Sequence, residues 1–145
     1  MPISTFQHSV TTAANADSIW AALQDAATWG GIGPIEKAWD AEHDENGSLQ
    51  SYRWSANAAG RPWKGTARTT AAAAGESMEM AIATKEIRGT VTIALTRDGE
   101  STDVTVKLQA EPAGMMATLF WGAVKGTIAS GFKQQVEEFA AGLGR

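Results

Sequence analysis

Residues 49–65 read LQSYRWSANAAGRPWKG. Tyr52 and Trp54 alternate with Arg53 and Ser55; past a small-residue turn, Trp63 and Gly65 alternate with Lys64 and Thr66. Alternation with period two describes two strands, each with one aromatic or small face and one polar face. The polar residues mark the outer surface, so Tyr52, Trp54 and Trp63 are expected to look inward. A turn centred between Ala58 and Ala59 sets Trp54 opposite Trp63 and Tyr52 opposite Gly65. Arg53 and Arg68 then point outward.

The same pattern extends in both directions from this hairpin. Upstream, Ile35 to Glu42 reads as a strand, followed by HDENGS, a polar turn carrying Asn46-Gly47. Trp39 shares the parity of Ile35 and Lys37 and is expected to join the inner face. Downstream come Trp63 to Ala71, Ser77 to Thr84 with Met78, Met80 and Ile82 on one face, and Arg88 to Thr96 with Val91, Ile93 and Leu95. Glu79 alternates against the methionines and faces solvent. RDGEST turns the chain into a strand carrying Val104, Val106 and Leu108. Thr5 to Thr12 supplies a further strand, with Phe6, His8 and Val10 on one face.

Asn15 offers an N-cap, Asp17 places negative charge in the first turn, and Ile19, Trp20 and Leu23 make an apolar stripe. That helix is expected to stop near Ala27, before the glycine- and proline-rich TWGGIGP, with room for a short second turn before Pro34. After Pro112-Ala113-Gly114, apolar residues recur at steps near 3.6: Ala117, Phe120, Trp121, Val124, Ile128, Phe132, Val136, Phe139 and Leu143. One amphipathic helix of roughly 28 residues, about 42 Å long, follows. Seven antiparallel strands cannot bury their own apolar face, and the long helix is the element large enough to cover it. The fold class is therefore α+β, a sheet curved around a C-terminal helix. Gly122, Gly126 and Gly131 each cost that helix about 1 kcal/mol relative to alanine. Either close approach to a backbone or a ligand offsets this, or the helix is loose.

The chain of 145 residues fits one domain, residues 1–145. It lacks cysteine, which excludes disulfides and thiolate chemistry and fits a reducing compartment. A net charge of −4 with interspersed signs gives no nucleic-acid footprint. No apolar run approaches the ~20 residues of a membrane span, and MPISTFQHSV does not read as a signal peptide, so the cytoplasm is the expected location. No cofactor fingerprint or metal-ligand spacing is present, and no signal fixes the oligomeric state.

Two readings of the aromatic face are open on these grounds. The rings either pack on the helix as a solid core or wall a cavity for an apolar small molecule. Gly65 and Ala67 on the same face are small, and Met115 and Met116 supply either lining or filler.

In order and spacing, AANADSIWAALQDAATWGGIG, GSLQSYRWSANAAG, LTRDGESTDVTV and the terminal helix resemble the START-like (SRPBCC) superfamily, a helix-grip fold, in its polyketide cyclase/dehydrase branch. Asn15 stands where relatives often have proline, and either starts a helix. The resemblance implies a pocket between curved sheet and helix, lined by Trp39, Tyr52, Trp54, Trp63, Met80, Ile93, Met116, Phe120 and Val124. It implies a hydrophobic or aromatic, lipid- or polyketide-like ligand. The alternative is a cyclase or dehydratase acting in the same pocket, for which His8 is the candidate general base. His43 falls in the polar turn. Arg61 at the hairpin tip, and Lys37 if its strand shifts face, are placed to rim the mouth and meet an anionic tail.

Overall fold

The computed structural model describes residues 3–29, 35–58 and 60–143, with Ile35, Ala58, Arg61 and Leu143 described by backbone alone. The elements are β1 (Ser4–Thr12), α1 (Ala16–Leu23), α2 (Ala26–Trp29), β2 (Ile35–His43), β3 (Leu49–Ala58), β4 (Arg61–Ala73), β5 (Ser77–Ala83), β6 (Ile87–Asp98), β7 (Ser101–Pro112) and α3 (Met115–Leu143). The seven strands form one antiparallel sheet in the order β1-β7-β6-β5-β4-β3-β2. This is the expected helix-grip arrangement of a curved, open sheet and a long C-terminal helix. Register shifts in β2 and between Thr69 and Ala71 of β4 bend the sheet locally.

Asn15 caps α1 as its position requires: extended backbone, and Oδ1 accepting from the Ser18 N–H at 2.7 Å. The helix ends at Leu23, short of the Ala27 expected. Asp25 Oδ1 accepts the Ala27 N–H at 3.0 Å and starts α2 in its place. The Trp29 indole then donates to the Leu23 carbonyl at 2.9 Å, which folds α2 back on α1. The segment GGIGP of the sequence lies outside the described residues.

Alternation on β5, β6 and β7 holds as read: Met78, Met80, Ile82, Val91, Ile93, Leu95, Val104, Val106 and Leu108 are all buried. The long helix does not cover this face alone. α3 packs mainly along β1 and more lightly on β7 and β3. Three contacts step along its length: Trp121 Nε1–H to Ser4 Oγ at 3.2 Å, the Phe132 ring 6.0 Å from Phe6, and Glu137 to His8 at 3.3 Å. Ile19, Leu23, Ala26 and Trp29 of α1 and α2 complete the same core cluster from the other side. Short helices thus bury what a single long helix, lying toward one edge of a wide sheet, cannot reach.

The helix glycines do not mark a close approach to a neighbouring backbone. A Cβ added at Gly122 or Gly126 meets nothing within 4 Å, and one at Gly131 meets only the side chain of Gln135, at 3.5 Å. The tight glycines lie elsewhere, at Gly65 and Gly89 in the sheet and at Gly114 just before the helix.

Candidate functional site

The hairpin of β3 and β4 pairs Ala58 with Arg61, Ala56 with Trp63, Trp54 with Gly65 and Tyr52 with Ala67. The turn therefore centres one residue later than expected, beside Gly60, whose φ of +71° suits glycine. The register shifts by two, so the faces survive and the partners change. Trp54 lies across Gly65 rather than against Trp63: a Cβ at Gly65 would sit 2.7 Å from Trp54 Cζ2. The indole is held there by its Nε1–H donating to the Thr66 carbonyl at 2.9 Å. A missing side chain on one strand is thus the seat for a large one on the next.

Trp39 is not on this face. Ile35 pairs with Ala56 but Lys37 pairs with Ser55, so a bulge at Glu36 reverses the parity. Ala38 takes the inward position opposite Trp54, while Trp39 pairs with Arg53 on the outer face and is 37% exposed. Lys37 likewise points outward, and the side chain of Arg61 lies outside the described residues. Arg53 and Arg68 face outward as expected. They edge a hollow of about 630 Å³ on the convex side, with Asp40, Glu42, Ala81 and Ala83, and Arg53 pairs with Asp40 at 3.7 Å.

Met80, Ile93 and Val124, expected as pocket lining, are fully buried core residues. Phe120 and Met116, also expected inside, are 43% and 37% exposed. Because α3 leans on β1, its core-facing stripe runs through Ala117, the half-buried Trp121, Val124, Ile128 and Phe132. The flank carrying Met116 and Phe120 is left beside an opening. That opening is a cleft of about 340 Å³ bordered by Pro62, Trp63, Lys64, Thr84, Lys85, Glu86 and Met116. Met115 and Leu119 extend the exposed apolar surface around the first turns of the helix.

Glu86, in the β5–β6 turn, joins the two sides of the cleft. Its carbonyl accepts the N–H groups of Ala113 (2.6 Å) and Gly114 (3.1 Å), and its carboxylate accepts that of Ala117 (3.0 Å). These are among the donors that a helix start leaves unpaired, and a negative charge there is favoured by the helix dipole. Gly114 leaves the space: a Cβ at that position would come within 2.6 Å of Glu86 Cδ. Among the described residues, Lys64 and Lys85 are the cations at this mouth. Sequence reasoning passes over both, since Lys64 alternates outward along its strand and Lys85 sits in a turn of no special composition.

Deeper in, Tyr52 is 2% exposed, with its ring 6.2 Å from that of Trp29. Burial pushes its phenol above the ordinary value of 10.0. The sign follows: below pH 10 neither state ionises this group, whereas above it the unfolded chain loses the proton and the folded one keeps it. Stability therefore falls as pH rises past 10. Tyr52 is the sole tyrosine in the chain. Phenolate absorbance is expected to appear together with loss of tertiary circular dichroism, not before it; a phenol ionising near pH 10 in the folded protein would contradict this burial.

His8 faces the helix side of β1 as expected, but its Nε2 meets Glu137 at 3.3 Å. Strands β7, β6 and β5 separate β1 from the strand carrying Trp63. His43 is the last residue of β2 rather than part of the turn, and its Nε2 meets the Gln24 carbonyl at 2.7 Å. Neither histidine borders the cleft. Among the described residues, no three His, Asp or Glu side chains are grouped to hold a metal ion, and no helix is long and apolar enough to cross a membrane.

An antiparallel sheet gripping a terminal helix, with a cleft between them at the helix start, defines the START-like architecture. The family model described as Polyketide cyclase / dehydrase and lipid transport matches residues 4–144, and the chain belongs to that family. No curated protein sequence matches it. Among solved structures it is similar to a START superfamily protein from Mycobacterium smegmatis, at 18% identity and a TM-score of 0.64, covering 92% of this chain and 97% of that one. It is similar to the Zhui aromatase/cyclase from Streptomyces sp. R1128, at 19% identity and a TM-score of 0.64, covering 98% and 87%. A protein from Thermus thermophilus gives a TM-score of 0.71 at 14% identity, covering 97% of each chain. At these identities the likeness establishes the fold.

Proposed function

We propose that the protein binds a hydrophobic or aromatic small molecule, lipid- or polyketide-like, that enters between the sheet and the first turns of α3. The observation that carries this reading is the distribution of apolar surface on α3. From Val124 onward its large apolar side chains with described burial are buried, whereas Met115, Met116, Leu119 and Phe120 are exposed, and Met116 borders a cleft walled by Trp63. A family described by cyclase, dehydrase and lipid transport supports it. Lys64 and Lys85 at the rim suit a ligand with an acidic end. Of the inward residues, Trp63 and Met116 border the cleft, and Trp54 and Tyr52 follow behind Trp63 along the hairpin. Binding is favoured over turnover because His8 lies at the far edge of the sheet, tied to Glu137. The absence of cysteine fits a reducing compartment, and the cytoplasm is the proposed location.

Dodecanoic and hexadecanoic acids and a hydroxyanthraquinone are suitable probes, read by saturable quenching of tryptophan fluorescence. Burial of apolar ligand surface, at about 25 cal/mol per Å², drives the association. Met116→Asp puts a charge on an exposed position, which leaves the fold intact and is expected to weaken binding about tenfold or more. Absence of saturable quenching by all the probes would remove the reading.

A further inference from the structure

Tyr52 Oη is the buried side-chain polar atom that lacks a hydrogen-bond partner among the described residues. Burying a hydroxyl without a partner is costly, and native interiors tolerate few such groups. Phenylalanine would fill the same space without that cost, so the hydroxyl needs a reason to be there.

The inner face of the sheet around it supplies one. Pairing across the strands places Tyr52 opposite Ala67, Ala67 opposite Ile82, Ile82 opposite Gly89 and Gly89 opposite Ala110. Of the four residues beyond Tyr52 on this line, all but Ile82 carry at most a methyl group. The neighbouring row, through Met80, Val91, Leu108 and Phe6, is filled by large side chains. A line of mostly small residues therefore crosses the inner face, with Tyr52 at one end. Along β4 the inward positions run Trp63, Gly65, Ala67, so Tyr52 stands about 14 Å inward of the cleft, at about 3.4 Å per residue. Trp54 overlies Gly65 on this line, midway between mouth and hydroxyl.

We propose that Tyr52 Oη is the polar anchor of the binding site, donating a hydrogen bond to an acceptor oxygen at the inner end of the ligand. The inference rests on the binding reading above and narrows it: the ligand is an apolar body with a carbonyl, ether or hydroxyl oxygen at the end that enters first. A pure hydrocarbon leaves the phenol unpaired and binds less well. Trp54, held over Gly65 by its bond to the Thr66 carbonyl, is the ring that such a ligand stacks on while reaching Tyr52.

The test uses two probes of one shape, 2-acetylnaphthalene and 2-ethylnaphthalene, with the wild-type protein and Tyr52→Phe, by isothermal titration calorimetry. Wild type is expected to prefer the ketone by about tenfold. Tyr52→Phe is expected to bring the ratio to about one while leaving the affinity for 2-ethylnaphthalene within about twofold. The carbonyl stretch of the ketone bound to wild type, compared with its position in hexane, gives a second readout that needs no variant; it is expected to move to lower frequency. Binding of both probes with the same ratio in the two proteins, or an unshifted carbonyl band, overturns the anchor and leaves the binding reading standing. Failure of both probes to bind wild type overturns the binding reading and the anchor together.

Discussion

Gly65→Ala is expected to lower stability by about 3 kcal/mol, a cost at the upper end for one added methyl group. The new Cβ would fall 2.7 Å from Trp54 Cζ2 and inside contact distance of the Ala83 carbonyl oxygen. Neither neighbour yields easily. The indole is fixed by its hydrogen bond to Thr66, and the carbonyl belongs to β5, paired with β4 at Thr66 and Ala83. Either the β4–β5 ladder opens locally or Trp54 leaves its seat and gives up the bond. Urea unfolding measures the loss, with an unchanged m value showing that the unfolded state is the same. Near-UV circular dichroism reports the indole. A loss under about 1 kcal/mol would mean that the seat is loose and that Trp54 is not fixed by it.

Phe132→Ala is expected to cost about 3–5 kcal/mol, the range for deleting a buried phenyl ring. Phe132 is buried, meets Phe6 in a tilted ring pair at 52°, and lies between the Ser4–Trp121 and His8–Glu137 contacts. It is the apolar centre of the seam between α3 and β1. Exposed residues of the same helix provide the contrast: Leu119→Ala should fall within about 1 kcal/mol of wild type. Urea unfolding of the two variants side by side checks this. Equal losses for both would contradict the tilt of the helix toward the β1 edge.

Much of the architecture is legible in the sequence because it depends on parity. Strands β5, β6 and β7 alternate cleanly, and a two-residue error in hairpin register leaves the faces of Tyr52, Trp54 and Trp63 unchanged. Gly60 is the available signal for the true turn, since a positive φ there favours glycine over either alanine. Trp39 escapes such reasoning because one extra residue at Glu36 reverses parity, and nothing in IEKAW announces a bulge. Met116 and Phe120 escape it for a different reason. Periodicity locates a helix's apolar residues but not which part of a sheet the helix leans on, and that is set by Phe6 and Ser4, more than a hundred residues away. The covering role of α1 and α2 is hidden by their brevity: the fold of Trp29 back onto Leu23 depends on the break at Asp25.

Glu86 holds the sheet's end to the helix through one side chain and one carbonyl, and it also borders the cleft. The first turn of α3 and the β5–β6 turn are therefore coupled: neither frays without giving up the same Glu86 bonds, so order at the helix start and order at the sheet's end are held by one residue.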